Sequence, residues 1–138
     1  MKNNSELPLR IGVGIVLLNS ENNIFVGRRI DNPKNSWQMP QGGVDQNEIF
    51  LQAAKRELEE ETGIKSVKLI KELDGWFKYD LPKYLLGKLW KGKYRGQKQK
   101  WFVMKFLGKS DEINVKTENP EFSDWKWIEI LKLPDVAV

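Results

Sequence analysis

The sequence predicts one layered domain of the α/β or α+β kind, a mixed sheet under helical cover. Three observations carry that expectation. One long amphipathic helical segment stands among several strand-like runs, the pattern of a sheet covered by helix. The 138 residues are enough to bury a core without disulfide or metal staples. No internal repeat, low-complexity tract or linker divides them, so residues 1–138 read as a single domain.

Taken in order, Arg10 to Leu18 is rich in β-formers, the polar turn Asn19 to Asn23 follows, and Ile24 to Arg29 is a second β-rich run. Two such runs around a polar turn predict a β-hairpin. Residues 31–36 read as a loop, and Trp37 to Gly43 leads into the helix. Asp45 and Glu48 have capping-box spacing, and Phe50, Ala53, Ala54 and Leu58 recur on one helical face. Gly63 stands where a C-terminal glycine ends a helix. Further strands are expected near Val67 to Leu73, Trp76 to Tyr79, Lys100 to Leu107 and Trp125 to Ile130.

Composition narrows the chemistry. The chain has no cysteine, which removes disulfides, thiolate nucleophiles and Cys-ligated metals. It has no histidine, which removes the commonest general base and any His-ligated zinc. Catalysis must then run on carboxylates, lysines, tyrosines or a bound hard cation. Met1 to Pro8 lacks the apolar core of a signal peptide, and the apolar run Val13 to Leu18 is too short to span a bilayer. A cytoplasmic protein with no membrane partner is the expectation. The net charge of +4 weakly favours an anionic partner.

The helix breaks a local rule. Glu57, Glu59, Glu60 and Glu61 crowd its last turns, and Glu57, Glu60 and Glu61 are three and four residues apart. A helix C-terminus carries the negative end of the macrodipole, where each carboxylate costs roughly 0.3–1 kcal/mol. Arg56 relieves part of this by pairing with Glu60 one turn on. A solvated acidic face is one reading. The other is a bound cation, and carboxylates without Cys or His select hard ions such as Mg²⁺ or Mn²⁺.

The surrounding residues favour the cation. Gly42, Glu48 after five residues, then Arg56-Glu57-Leu58-x-Glu60-Glu61-x-Gly63-Ile64 resemble the Nudix box at every defined position. Seven fixed residues at average usage coincide by chance about once in 10⁸ placements. One small departure is Asn47, where many members carry glycine. The resemblance implies an α/β fold, an α/β/α sandwich with a mixed sheet. It also implies hydrolysis of nucleoside diphosphates linked to another moiety. Glu57, Glu60 and Glu61 would be metal ligands, one of them a candidate base, with Gly42 at the metal position. Arg56 would orient the glutamates, Glu48 would lie close by, and Gly42, Gly43 and Gly63 would shape the backbone.

Beyond the box the chain resembles the bacterial RNA pyrophosphohydrolase and dinucleoside polyphosphate hydrolase branch. Ser36-Trp37-Gln38-x-Pro40-Gln41-Gly42-Gly43, Tyr79-x-Leu81-Pro82-Lys83, Gly96 to Phe102 and Pro120-Glu121-Phe122-x-x-Trp125-x-Trp127 carry this likeness, from about Arg10 to Trp127. By resemblance Arg10, Arg29, Gln41, Tyr79 and Lys98 or Lys100 would bind substrate, and Glu121 would join the catalytic glutamates. Trp37, Trp125 and Trp127 read as scaffold.

From Leu81 to Ser110 no residue is acidic, while lysines and Arg95 interleave with Trp90, Tyr94 and Trp101. Such a ribbon suits phosphate capture and base stacking, or is a solvated β-ribbon. The expected partners are RNA 5′ ends or dinucleoside polyphosphates, with no DNA, and the expected cofactor is Mg²⁺ or Mn²⁺. The expected reaction converts an RNA 5′-triphosphate to a 5′-monophosphate with release of pyrophosphate. Hydrolysis of an Ap4A-type dinucleotide is the alternative, and a non-catalytic nucleotide-binding module is a third reading. Family members continue into a C-terminal helix, and the chain ends at Val138 before one is expected.

Overall fold

The computed structural model describes residues 7–30, 36–81, 84 and 86–133. Strands β1 (Leu9–Leu18), β2 (Ile24–Arg29), β3 (Trp37–Gln38) and β4 (Gln41–Gly43) precede the helix α1 (Phe50–Thr62). Strands β5 (Val67–Glu72), β6 (Phe77–Asp80), β7 (Gly96–Phe106) and β8 (Phe122–Ile128) follow. Short 3-10 turns cover Leu89–Gly92, Ser110–Glu112 and Ile130–Lys132. The strands form one mixed sheet ordered β3-β2-β1-β7-β5, with β4 beside β1, β6 beside β7 and β8 beside β2. The expected α/β class with a mixed sheet is what the chain adopts. Among the described residues no helix is long and apolar enough to cross a membrane.

The expected hairpin forms only at its turn. β1 and β2 meet in antiparallel register at Leu18↔Ile24, and Asn19 Oδ1 accepts from the backbone N–H groups of Glu21 and Asn23. The strands then part. β1 runs parallel to β7 from Leu9↔Gly96 to Leu18↔Lys105, while β2 pairs along its length with β8. Both faces of the central strand are covered, so long-range parallel pairing wins over the local hairpin ladder. β7 begins four residues before the expected strand, where Gln97 faces a cavity rather than a core, and β8 begins three before, at the buried Phe122.

Alternation along β1 and β7 sets the two faces of the sheet. Val13, Ile15 and Leu17 with Phe102 and Met104 pack under Ala53, Ala54 and Leu58 of α1, joined by Phe25 and Phe122. The opposite face holds a smaller cluster of Ile24, Val26 and Ile128 with Val16, Leu18, Trp37, Met39 and Leu133. Trp125 and Trp127 pack around Phe25 as scaffold, as expected.

The helix starts later than its capping signal. Ile49 is the cap position and supplies no side-chain bond, so α1 begins at Phe50. Asp45 and Glu48 instead close a preceding turn. The Asp45 N–H donates to Glu48 Oε1 at 3.0 Å, and the Glu48 N–H donates to the Asp45 carbonyl at 3.0 Å. The capping-box spacing thus shapes the approach to the helix, and Glu48 is held for another partner. At the other end Gly63 is left-handed, and its N–H donates to the Glu59 carbonyl. Buried Thr62 donates to the Leu58 carbonyl at 2.6 Å and accepts from the Ile64 N–H.

Candidate active site

One cation organises the acidic helix. Arg56 grips Glu48 with two bonds, Nε to Oε2 at 2.8 Å and Nη2 to Oε1 at 2.9 Å. Its Nη1 donates to Glu57 at 2.9 Å and to Glu60 at 3.2 Å, and Nη2 also reaches the Gly43 carbonyl at 3.0 Å. The expected Arg56–Glu60 pair is therefore only one of several contacts that Arg56 makes. The guanidinium offers five donors in a fixed plane, so it can hold several carboxylates at once, which a lysine cannot. Arg56 and the neighbouring Asp45 N–H hold the Glu48 carboxyl down at about 2. The same carboxylates raise the pKa of Arg56.

Three glutamates of one helix meet three different environments. Glu60 is over half exposed. Glu57 is mostly buried, and burial pushes its pKa up to about 6 against the pull of Arg56. Gly42 makes its position possible, because a Cβ there would fall within the Glu57 carboxylate. Glu61 is 2% exposed, and neither of its carboxylate oxygens has a hydrogen-bond partner. Burial raises its pKa well above the ordinary value, the carboxylates of Glu121 and then Glu57 raise it further, and Arg29 partly opposes them. Thr117 Oγ1 is a third buried oxygen without a partner.

Two cavities adjoin here. One of about 550 Å³ is lined by Arg10, Arg29, Gln38, Gln41, Gly42, Gly43, Tyr79, Leu81, Leu89, Trp90 and Gln97, with Glu57 and Glu121. The other, of about 430 Å³, is lined by Glu59, Glu60, Glu61, Glu118, Thr117 and Asn119, again with Glu57 and Glu121. The first presents two guanidinium groups and several amides. The second presents carboxylates. Glu57 and Glu121 stand on the boundary of both. Glu121 is brought there by the chain entering β8, where its carbonyl accepts from the Ile30 N–H and its Oε2 accepts from Arg29 Nη1 at 3.0 Å.

Most of the expected site residues converge on these cavities: Arg10, Arg29, Gln41, Gly42, Tyr79, Glu57, Glu60, Glu61 and Glu121. Lys98 and Lys100 do not. Along β7 they share the helix-side face with Phe102 and Met104, and their ammonium groups lie 4.9 and 5.5 Å from the Trp76 ring centre. Lys100 is also 3.9 Å from Glu72. The resemblance implied them as substrate-binding residues, and strand alternation turns them to the other face of β7. The intervening glutamines face the cavity side instead. Gln97 accepts from the Tyr79 hydroxyl at 2.8 Å, and Gln99 donates to Gln41. Thr117 has no signal in the sequence, while Gln38 and Gln97 stand there only as parts of longer motifs and Trp90 only as one aromatic of the basic ribbon. The parity of β7 was the one available signal, and it points to Gln97.

The donor set fits a hard divalent cation. Among the described residues no group of three acidic side chains is already closed around one cation position. The carboxylate of Glu61, buried with both oxygens unpartnered beside Glu57 and Glu121, is nonetheless a costly arrangement that positive charge would relieve.

A NUDIX domain model matches residues 8–137. The chain belongs to the Nudix family, whose box is the segment built here around Arg56. Within the family it falls in a bacterial branch of proteins named RNA pyrophosphohydrolase. The one from Pelagibacter ubique (strain HTCC1062) is 64% identical over 136 residues, covering 99% of this chain and 86% of that protein. The one from Orientia tsutsugamushi (strain Boryong) is 48% identical over 128 residues, covering 93% and 80%. The E. coli dihydroneopterin triphosphate pyrophosphohydrolase superposes with a TM-score of 0.75 over 94% of this chain and 88% of that one. At 20% identity it speaks to the fold alone.

Proposed function

We propose that this protein removes pyrophosphate from the 5′-triphosphate end of RNA, leaving a 5′-monophosphate, in a reaction that depends on a divalent cation, Mg²⁺ or Mn²⁺. The observation that carries the chemistry is the pair of adjoining cavities, cationic and acidic, that share Glu57 and Glu121. The RNA end as substrate is supported by near full-length relatives named for that activity.

Glu57, Glu60 and Glu61, with the Gly42 carbonyl, would hold the cation. When bound, it lowers the repulsion met by an incoming nucleophile and offsets charge on the leaving oxygens. Arg10 and Arg29 bind the phosphate chain in the first cavity, and Gln41 and Tyr79 help orient it there. Water adds to phosphorus, the anhydride P–O bond breaks, and the bridging oxygen leaves with pyrophosphate. The water proton passes to a carboxylate on the shared wall, Glu57 or Glu121, the two groups that face both cavities. Arg56 lines neither cavity. It positions Glu57 and Glu60 so that little reorganisation is needed in the transition state.

The test compares turnover of 5′-triphosphorylated RNA and of diadenosine tetraphosphate at matched, sub-saturating concentrations. The expected result is pyrophosphate release from RNA with the larger kcat/KM, abolished by chelator and restored by Mg²⁺ or Mn²⁺. Preference for the dinucleotide would move the substrate assignment, and full activity in excess chelator would overturn the cation.

A further inference from the structure

Trp90 stands in a conformation that its burial does not explain. It and Lys91 have φ of +51° and +58°, the left-handed region that non-glycine residues rarely occupy. Such residues are strained and persist where surrounding structure enforces them, often at functional sites. The turn Leu89–Gly92 contains no buried residue, so core packing does not offset that strain. A glycine neck closes the loop. Gly87 and Gly92 are both left-handed at φ +80° and +72°, and a Cβ on Gly92 would stand 3.1 Å from the Gly87 carbonyl oxygen.

What the loop achieves is to put an indole in the wall of the phosphate cavity. Trp90 lines it together with Arg10 and Glu57, and the Arg10 guanidinium sits 5.1 Å from the Trp90 ring centre. Arg10 is in turn seated against Gly43, where a Cβ would collide with its guanidinium. Tyr94 supports the indole edge-on at 6.0 Å. A partly exposed aromatic plane, braced by a cation and a second ring, is the surface on which nucleobases stack.

We infer that the Gly87–Gly92 loop holds Trp90 as the platform on which a nucleobase of the substrate stacks, with Arg10 bracing it. This rests on the cavity being the one that takes the nucleotide's phosphates. Stacking is made equally in ground and transition states, so its loss raises KM and leaves kcat within a few-fold.

The experiment measures binding of two probes, adenosine 5′-monophosphate and ribose 5-phosphate, to the full chain by calorimetry. Trp90→Leu keeps apolar bulk but removes the aromatic plane, and Trp90→Phe restores a plane. The expected result is at least about a tenfold loss of adenosine 5′-monophosphate affinity in Trp90→Leu, the size of one base–aromatic stack. Ribose 5-phosphate binding should be unchanged, and Trp90→Phe should recover most of the loss. Equal nucleotide affinity in Trp90→Leu and the unaltered protein would overturn the inference. So would parallel weakening of both probes, which would mean that Trp90 only steadies Arg10. Pyrophosphate release by the unaltered protein is read separately, so the platform can fail while the proposed reaction stands.

Discussion

Replacing Glu61 with glutamine tests the reasoning about the acidic cavity most directly. The amide keeps the size and helix propensity of the side chain and removes its charge. In the protein without cation, that charge is buried, unpartnered and faced by two other carboxylates. The amide can instead donate to a neighbouring carboxylate, a bond of the charged kind worth about 1.5–3 kcal/mol, against which rotamer ordering sets about 1 kcal/mol. A net gain of about 0.5–2 kcal/mol raises the melting temperature by about 2–7 °C in a chain of this size. The pH dependence has a definite sign. The folded pKa of Glu61 is raised above its unfolded value of 4.5. Its contribution is therefore fully present below the unfolded pKa and is lost as pH rises through the folded one. Chelated wild-type protein should lose stability on going from pH 5 to pH 8, and Glu61→Gln should flatten that slope. Turnover should fall at least about a hundredfold, ~2.7 kcal/mol in the barrier. The assays are chelated thermal melts across pH and pyrophosphate release on the same preparations. Retained turnover with an unchanged or lowered melting temperature would refute the account, because it would make Glu61 an ordinary structural carboxylate.

Gly42→Ala should abolish most activity with the fold retained, since the added Cβ displaces Glu57 from the shared wall; turnover and circular dichroism together check this. Lys98→Gln with Lys100→Gln should leave KM and its salt dependence nearly unchanged for a short triphosphorylated substrate, because these lysines lie on Trp76 and not in the cavity. A flattened salt slope there would return them to the phosphates. Glu112 accepts from the backbone N–H groups of Lys65 and Ser66 at 2.7 and 2.8 Å, and these bonds lower its pKa. Its stabilisation is present above the unfolded pKa and lost as pH falls through the folded one. Glu112→Gln should lower the melting temperature at pH 7 by about 3 °C, about 1 kcal/mol after allowance for solvent screening, with little effect at pH 3.

The amino-acid order by itself determined the α/β class, the helix at Phe50–Thr62 to within its first turn, and the box that defines the family. These are local or periodic properties. A 3.6-residue apolar repeat, a terminal glycine and carboxylates at fixed helical spacing have their meaning before any folding takes place. Glu57, Glu60 and Glu61 could be named for the same reason. Their different fates could not. Arg56 acts on Glu48, Glu57, Glu60 and the Gly43 carbonyl together, a convergence of the helix, the preceding turn and β4. Glu61 meets Glu121, sixty residues away in the chain, only where the folded chain sets both on the wall of one cavity. Lys98 and Gln97 are neighbours in sequence and fall on opposite faces once β7 joins β1 in parallel register. Trp90 reaches the cavity through left-handed backbone that no residue preference predicts. Charge, burial and face at these positions are properties of partners distant in the chain, and only the tertiary structure decides which partners meet.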